Sequence, residues 1–136
     1  MDSLPLDFKK LGSLDWQNLD VMPVAVQDHQ SHEVLMVAYV NQEALEESFK
    51  RNVAVFWSTS RNKLWVKGES SGDTLILKEV RVNCYGNSLL FIVELLGKGM
   101  CHTKDKRNNS RFGCYYRQLN KEHLTTYVQS LPYTGN

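Results

Sequence analysis

Short apolar stretches separated by polar turns run through most of the chain, and their spacing predicts strands more often than helices. Residues 21–26 and 33–40 are two such stretches, and the polar segment 28–32 between them predicts a hairpin. Pro23 favours a sheet edge or the start of a strand, because proline cannot donate a backbone hydrogen bond. Further strands are predicted at 53–57, 64–67, 74–82 and 88–96.

Two segments have the pattern of helices. Asn41 is a good N-cap residue, and helical spacing follows it over residues 42–51. The apolar face of this helix is formed by Ala44, Leu45 and Phe49. A second helix is predicted over 121–131, capped by Asn120. Hairpin-linked strands with one or two helices predict an α+β fold with a mostly antiparallel sheet.

The bulk composition fits a single domain over residues 1–136, of which 42% are hydrophobic. Residues 1–19 form a polar lead-in, with a helical turn predicted around 7–11 and with Trp16 and Leu19 as anchors. This lead-in has no long apolar run, so neither a signal peptide nor a membrane segment is predicted. The 16 Lys+Arg nearly balance the 15 Asp+Glu, which argues against a nucleic-acid binder. We expect a cytoplasmic protein.

The three cysteines all lie between residues 80 and 117, each beside a turn or loop. In a reducing compartment an odd number of cysteines is no disulfide framework. Cys84, Cys101 and Cys114, with His102 adjacent to one of them, suggest a zinc site with a vacant position for water. Their spacing contains no CxxC pair, so on spacing alone buried free thiols are the simpler interpretation.

Several motifs occur in an unbroken order over residues 20–118. They are the segments 33–41, 44–45, 56–61 and 64–72, then Cys84, Cys101-His102-Thr103 and Cys114-Tyr115-Tyr116-Arg117. Together they resemble the phosphoribosyl-AMP cyclohydrolase family of histidine biosynthesis. The lead-in 1–19 and a C-terminal extension, 119–136, lie outside the resemblance.

The resemblance implies an intertwined homodimer with barrel-like sheets. It implies a zinc ion held by cysteines of two chains, with Cys84 of one chain meeting Cys101 and Cys114 of the other. It also implies a substrate, 1-(5-phosphoribosyl)-AMP, whose purine ring is opened by hydrolysis of the N1–C6 bond. No nucleic acid and no membrane are implied as partners.

Two departures from the family pattern stand out. The family's Asp-Cys-Asp-x-Asp run, whose carboxylates hold magnesium, is replaced here by Asn83, Tyr85 and Asn87 around Cys84. Amides and a phenol are poor ligands for magnesium, so that site is not expected here. A displaced site would draw on the nearby carboxylates of Glu69, Asp73 and Glu79. The second departure is a longer loop between Cys101 and Cys114, which is predicted to be solvated and mobile, with nothing to bury.

The chemistry implied by the resemblance gives His102 a role. Hydroxide must attack the ring, and zinc lowers the pKa of bound water to about 7. Three thiolates weaken the Lewis acidity of the ion, so a general base would help, and His102 is the natural candidate. The alternatives are a histidine that supports the ligands, a core histidine, or a fourth ligand that closes the site.

The two phosphates of the implied substrate call for cationic and hydroxyl-bearing loops. The candidate binding residues are Arg61, Lys67, Ser70, Ser71 and Arg117, with Trp65 as a platform for the purine. The alternatives are a solvated loop for residues 61–71, a core position for Trp65 and a surface ion pair for Arg117.

Three hypotheses therefore remain open at the level of sequence. The first is the zinc-dependent cyclohydrolase itself. The second is a divergent enzyme on the same scaffold that hydrolyses another purine-like nucleotide. The third is a non-catalytic, zinc-stabilised dimer that binds a nucleotide. Retention of Arg61, Lys67, His102 and the loop 68–72 argues against the third, because a purely structural zinc site does not need them.

Overall fold

The computed structural model of this chain describes residues 20–120 and 123–130. Its elements are β1 (Met22–Asp28), β2 (Val34–Val40), α1 (Gln42–Arg51), β3 (Val55–Ser58), β4 (Lys63–Val66), β5 (Leu75–Val82), β6 (Leu89–Leu95), β7 (Arg117–Asn120) and β8 (His123–Ser130). The six strands predicted from the apolar pattern are confirmed, with bounds that shift by one or two residues. Over the described residues, α1 is the one helix, so the α+β class is confirmed.

The main sheet has four strands in the order β2-β1-β6-β5. The pairs β1–β2 and β5–β6 are antiparallel hairpins, whereas β1 and β6 are parallel, with Val24 opposite Leu89. Two further sheets, β3-β4 and β7-β8, are two-stranded and antiparallel. An isolated bridge joins Val53 to Ile76 beside β5. The described strands thus form open, mostly antiparallel sheets, and the expected barrel-like closure is not found among them.

The core lies on one face of the main sheet, where alternate residues of its strands are fully buried. Val24 and Val26 of β1 and Phe91 and Val93 of β6 have no exposed surface. Phe56 of β3 packs on this layer, with its ring centroid 6.0 Å from that of Phe91. The period-two burial on β1 and β6 follows from the pleat, because successive side chains point to opposite faces.

Helix α1 begins as the sequence predicts. The Oδ1 atom of Asn41 accepts a hydrogen bond from the backbone N–H of Ala44 at 2.8 Å. Phe49, on the predicted apolar face, does not join the core, because its side chain is 60% exposed. Ser48 is buried instead, and its hydroxyl accepts a hydrogen bond from the backbone N–H of Val55 at 3.0 Å. A small polar side chain therefore joins the helix to β3, and the larger Phe49 lies on the solvent side.

The second predicted helix, over residues 121–131, is wrong. The structure has strand β8 there, and β8 pairs with β7 from Leu119↔Tyr127 to Asn120↔His123. Its sequence, HLTTYVQS, is rich in β-branched and aromatic residues, which favour a strand over a helix. The helical turn predicted at 7–11 and the anchors Trp16 and Leu19 lie outside the described residues.

Over the described part of the chain, no helix combines the length and the apolar character needed to cross a bilayer.

Candidate active site

Two backbone segments that flank the long loop run side by side and carry Cys101 and Cys114. The backbone N–H of Cys101 donates to the carbonyl of Arg111 at 3.0 Å, and the N–H of Arg111 donates to that of Thr103 at 3.1 Å. Gly99 makes this approach possible, because a Cβ atom there would collide with the carbonyls of Ser110 and Arg111. The long loop thus closes back on itself at its base.

The thiols of Cys101 and Cys114 are brought together at this base. Cys101 is 3% exposed and Cys114 is partly buried. Burial, first, and then the charge and hydrogen bond of the neighbouring Cys101 thiol raise the pKa of Cys114 to about 11. The charge of Lys67 acts in the opposite direction and lowers this pKa. The backbone N–H of Cys114 donates to the carbonyl of Leu35 at 2.7 Å, which ties the pair to β2.

Cys84 lies apart from these two thiols. It is exposed, in the turn that joins β5 to β6. Over the described residues, no group of three or more His, Cys, Asp and Glu side chains is placed to hold a metal ion. One chain therefore assembles two of the three predicted zinc ligands, and the third faces solvent. Two adjacent sulfur atoms suit a soft cation such as zinc, which binds thiolates.

The turn that carries Cys84 is held by the amides on either side of it. Oδ1 of Asn83 accepts hydrogen bonds from the backbone N–H groups of Asn87 at 2.9 Å and Ser88 at 3.2 Å. Nδ2 of Asn83 donates to Oδ1 of Asn87 at 2.7 Å. The two amides are therefore engaged with each other and with the backbone of the turn.

These residues do not fit the family's magnesium site. Magnesium binds anionic oxygen in near-octahedral geometry, whereas the amide oxygens of Asn83 and Asn87 are neutral and already accept hydrogen bonds. The side chain of Tyr85 is 86% exposed and carries no carboxylate.

A displaced magnesium site is not supported either, since Glu79 pairs with Arg81 at 2.7 Å. Asp73 accepts a hydrogen bond from the hydroxyl of Ser110 at 3.3 Å, and no carboxylate cluster includes it among the described residues.

His102 is exposed, next to the buried Cys101. The alternative of a core histidine is therefore wrong. An exposed imidazole beside the sulfur pair is free to exchange protons with water, which a general base or proton shuttle requires.

The predicted substrate-binding residues fall into two groups, and only one of them lies by the sulfur pair. Lys67 is close enough to Cys114 to lower the pKa of the thiol. Arg117 follows Cys114 in the chain, with its guanidinium carbon 5.0 Å from the ring centroid of Tyr116. Lys67 therefore lies in the neighbourhood of the thiols, and Arg117 lies against Tyr116.

The second group lies in the loops around β4. Arg61 is exposed, and its backbone N–H donates to the hydroxyl of Ser58 at 3.2 Å. Ser70 and Ser71 are exposed in the loop that Gly68 closes, where a Cβ atom on Gly68 would collide with the backbone of Asp73. This loop has a fixed turn geometry, and its two hydroxyl groups are open to solvent.

Trp65 is partly buried, and its ring centroid lies 5.0 Å from that of Phe56. This contact favours the alternative in which Trp65 packs against the core.

Sequence reasoning missed Arg111. Its guanidinium carbon lies 4.1 Å from the ring centroid of Tyr116, and its Nε atom is buried without a hydrogen-bond acceptor among the described residues. A buried donor without a partner costs about 1–3 kcal/mol. The prediction that the long loop has nothing to bury is wrong at its C-terminal end, where Phe112 also packs against the core. The apolar Phe112 between Arg111 and Cys114 was the signal in the sequence.

The rest of the long loop is folded locally. Lys104 and Ser110 form a bridge, and Oδ1 of Asp105 accepts hydrogen bonds from the backbone N–H groups of Arg107 at 2.9 Å and Asn109 at 3.0 Å. These bonds and the nearby cations hold the pKa of Asp105 below its usual value. The loop therefore has a defined turn at its tip.

A cavity of about 450 Å³ lies beside this loop. Asp105, Ser110 and Phe112 form one side, and the end of β6 with Lys98 forms another. None of the predicted substrate-binding residues lines it. The lengthened loop thus contributes a wall to this cleft.

Comparison with known proteins places this geometry in a family. The family model described as phosphoribosyl-AMP cyclohydrolase matches residues 36–116, a range that contains all three cysteines and His102. A protein of Methanosarcina acetivorans is 45% identical over 112 residues, which cover 82% of this chain and 87% of the relative. One of Chlorobium phaeovibrioides is 37% identical over 117 residues, covering 86% of this chain and 80% of the relative. One of Methanothermobacter thermautotrophicus is 44% identical over 105 residues, which cover 77% of this chain and 71% of the relative. All three relatives are named phosphoribosyl-AMP cyclohydrolase. The chain belongs to the phosphoribosyl-AMP cyclohydrolase family of hydrolases.

Proposed function

We propose that this protein is a zinc-dependent hydrolase that opens the purine ring of 1-(5-phosphoribosyl)-AMP at the N1–C6 bond in histidine biosynthesis. The observation that carries the proposal is the pairing of the Cys101 and Cys114 thiols, inside the segment that the family model matches. Phosphoribosyl-AMP is the substrate that the relatives' names state.

The zinc site is proposed to form between two copies of the chain. Cys101 and Cys114 of one copy supply two thiolates, and the exposed Cys84 of the other supplies the third. The pKa of Cys114, raised by burial, keeps its thiol protonated at neutral pH, so loading the ion must release this proton. Lys67 favours that release, because its charge stabilises the thiolate.

When bound, zinc would supply the Lewis acidity that makes water nucleophilic near neutral pH. His102 is proposed to take the proton from the attacking water, since it is exposed beside Cys101 and imidazole is the side chain that most often acts as a general base. The proton then passes to the ring nitrogen that leaves C6, which completes the ring opening without a net change in protons at the histidine.

The phosphates of the substrate are proposed to bind the cations around the thiols. Lys67 lies beside the Cys114 thiol, and the exposed Arg61, Ser70, Ser71 and Arg117 supply further donors. Arginine binds phosphate through two parallel N–H groups, whereas lysine acts as a point charge. Trp65, with its ring against Phe56, is proposed to border the purine with its remaining surface.

The direct test is turnover of phosphoribosyl-AMP by purified, zinc-loaded protein, followed by ultraviolet absorbance. We expect ring opening with zinc alone and no further gain from magnesium. Absence of turnover in protein whose zinc content is verified would overturn the proposal. The same protein with zinc removed is the matched control.

A divergent member of the family is the second candidate function, favoured by the neutral turn at 83–87 and the cleft wall formed by the long loop. Such an enzyme would hydrolyse another purine-like nucleotide. A panel of N1-substituted purine nucleotides separates the two candidates, because the divergent enzyme would open one of them and leave phosphoribosyl-AMP intact.

A further inference from the structure

We propose that the Asn83–Asn87 amide pair does in this chain what a second metal ion would otherwise do: it fixes the β5–β6 turn and thereby positions Cys84 as a zinc ligand without magnesium. The inference rests on the proposed function in one respect, namely that Cys84 completes a zinc site with the thiols of a second copy.

Asn83 is the centre of the turn. Its backbone N–H donates to the carbonyl of Ser88 at 3.1 Å, and its own carbonyl accepts from the N–H of Gly86 at 3.1 Å. Its side chain makes three more hydrogen bonds, two to backbone N–H groups and one to Oδ1 of Asn87. Gly86, with a φ of 71°, supplies the left-handed residue that the turn requires. The backbone on both sides of Cys84 is therefore fixed by one side chain.

The chemistry of the pair explains why no cation is needed. An amide offers both a donor and an acceptor, so Nδ2 of Asn83 and Oδ1 of Asn87 attract each other at 2.7 Å. Two carboxylates at the same positions would be acceptors only, and their charges would repel at that separation unless a cation lay between them. Amides at these two positions therefore pair without a cation, whereas carboxylates would need one between them.

The turn leaves the ligand accessible. Cys84 is exposed, and its neighbours Val82 and Tyr85 are 62% and 86% exposed. Large apolar side chains in water on either side of a thiol suit a contact with a second protein surface. Asn83 and Asn87 act through Cys84 and are positioning residues in this scheme.

The test measures zinc affinity by competition with a chromophoric chelator, so it does not depend on turnover. For the wild-type protein, we expect the same zinc affinity with and without millimolar magnesium. For N83D/N87D, we expect an affinity weaker by about tenfold without magnesium, because outer-shell partners of a metal site typically contribute 10–100-fold. Magnesium should restore most of that loss, and calorimetry should detect magnesium binding that the wild type lacks.

Two further variants keep the test decisive. N87A removes the bond between the side chains and leaves the backbone bonds of Asn83 in place, so it should fold and bind zinc more weakly, whatever the magnesium concentration. N108D/N109D adds the same two charges to the exposed long loop and should match the wild type.

The outcomes separate the inference from the function it rests on. A wild-type zinc affinity that rises with magnesium would overturn the inference, as would an N83D/N87D protein that ignores magnesium or an N87A protein with wild-type affinity. If the affinities behave as expected but zinc-loaded wild type does not open phosphoribosyl-AMP, the inference stands and the proposed function falls.

Discussion

The base of the long loop and the turn between β5 and β6 both carry cysteines, and they are built in opposite ways. At the base, Cys101 is buried, and backbone hydrogen bonds link residues distant in sequence, such as Cys114 and Leu35. At the turn, Cys84 is exposed, and every hydrogen bond that holds its neighbours connects residues within a short span. The base of the loop depends on the whole fold, whereas the turn is a local structure that projects from it.

The two cysteine-bearing regions are held in place by different interactions. The buried pair is fixed by packing and by backbone hydrogen bonds to residues distant in sequence. The exposed turn is fixed by two amides, so its ligand can be altered with the fold intact. Variants of Cys101 and variants of Cys84 therefore test different parts of the candidate site.

The largest expected effect is at the buried base. Cys101→Ala should lose bound zinc and turnover together, because one of two adjacent sulfur ligands disappears. The replaced thiol is small, so the circular-dichroism spectrum should be retained. Metal analysis and the turnover assay measure the two effects. Unchanged zinc content in this variant would contradict the ligand role of Cys101.

The next effect concerns the proton step rather than the ligands. His102→Asn should lower kcat by about 10²–10⁴-fold, the usual contribution of a general base, and should leave zinc content unchanged. Loss of zinc in this variant would instead identify His102 as a fourth ligand. His29→Asn, in the turn after β1, is the matched control and should behave as the wild type.

Mixing inactive subunits tests both cysteine-bearing regions in one experiment. Cys84→Ala and Cys101→Ala proteins should each be inactive. After exchange, about a quarter of wild-type turnover should return, because half of the dimers are hybrids and each hybrid keeps one complete site of two. Native mass spectrometry verifies the exchange. Persistent inactivity in verified hybrids would show that zinc is not shared between chains.

The smallest effect concerns the tip of the long loop. The pKa of Asp105 is lowered in the folded protein, chiefly by its hydrogen bond from the backbone of Asn109, so the loop is stabilised above the carboxyl's unfolded pKa. That stabilisation is lost as the pH falls through the folded pKa, since protonation weakens the bonds. Amide hydrogen exchange at 105–109 should therefore quicken at acidic pH. Asp105→Asn should show no such pH dependence, and an identical profile in both proteins would contradict the role of Asp105.

The regular elements were predictable because their causes are local. Alternating apolar residues in β1 and β6 report directly which face of a pleated strand is buried, and Asn41 marks the start of α1. Helical spacing places Phe49 on the apolar face of α1, but it does not show which side of that face contacts the core. Asn120 as a cap predicts a helix over 121–131, whereas the β-branched and aromatic composition of β8 favours the strand that forms.

The candidate site was less accessible to sequence reasoning. The cysteines lack a recognisable spacing, and their pairing depends on two segments, 100–103 and 111–114, that meet only after the loop between them closes. Residue types alone do not show that the Nε atom of Arg111 is buried, because its burial depends on tertiary packing. They also do not show the hydrogen bond between Asn83 and Asn87, which depends on the conformation of the turn. What the sequence did indicate, through the order of its motifs, was the family.

The parallel pairing of β1 with β6 has a consequence for how the molecule is made. Val24 pairs with Leu89, so β1 emerges from the ribosome and waits for nearly half the length of the chain before its partner strand is synthesised. Contacts between such distant positions slow folding, because a long loop must be closed before any contact is gained. Cys114, whose backbone N–H donates to the carbonyl of Leu35 in β2, is synthesised later still. A newly made chain therefore carries the hairpin of β1 and β2 without its partner strand while residues 41–88 are synthesised, and this uncovered strand edge favours aggregation until β6 is made.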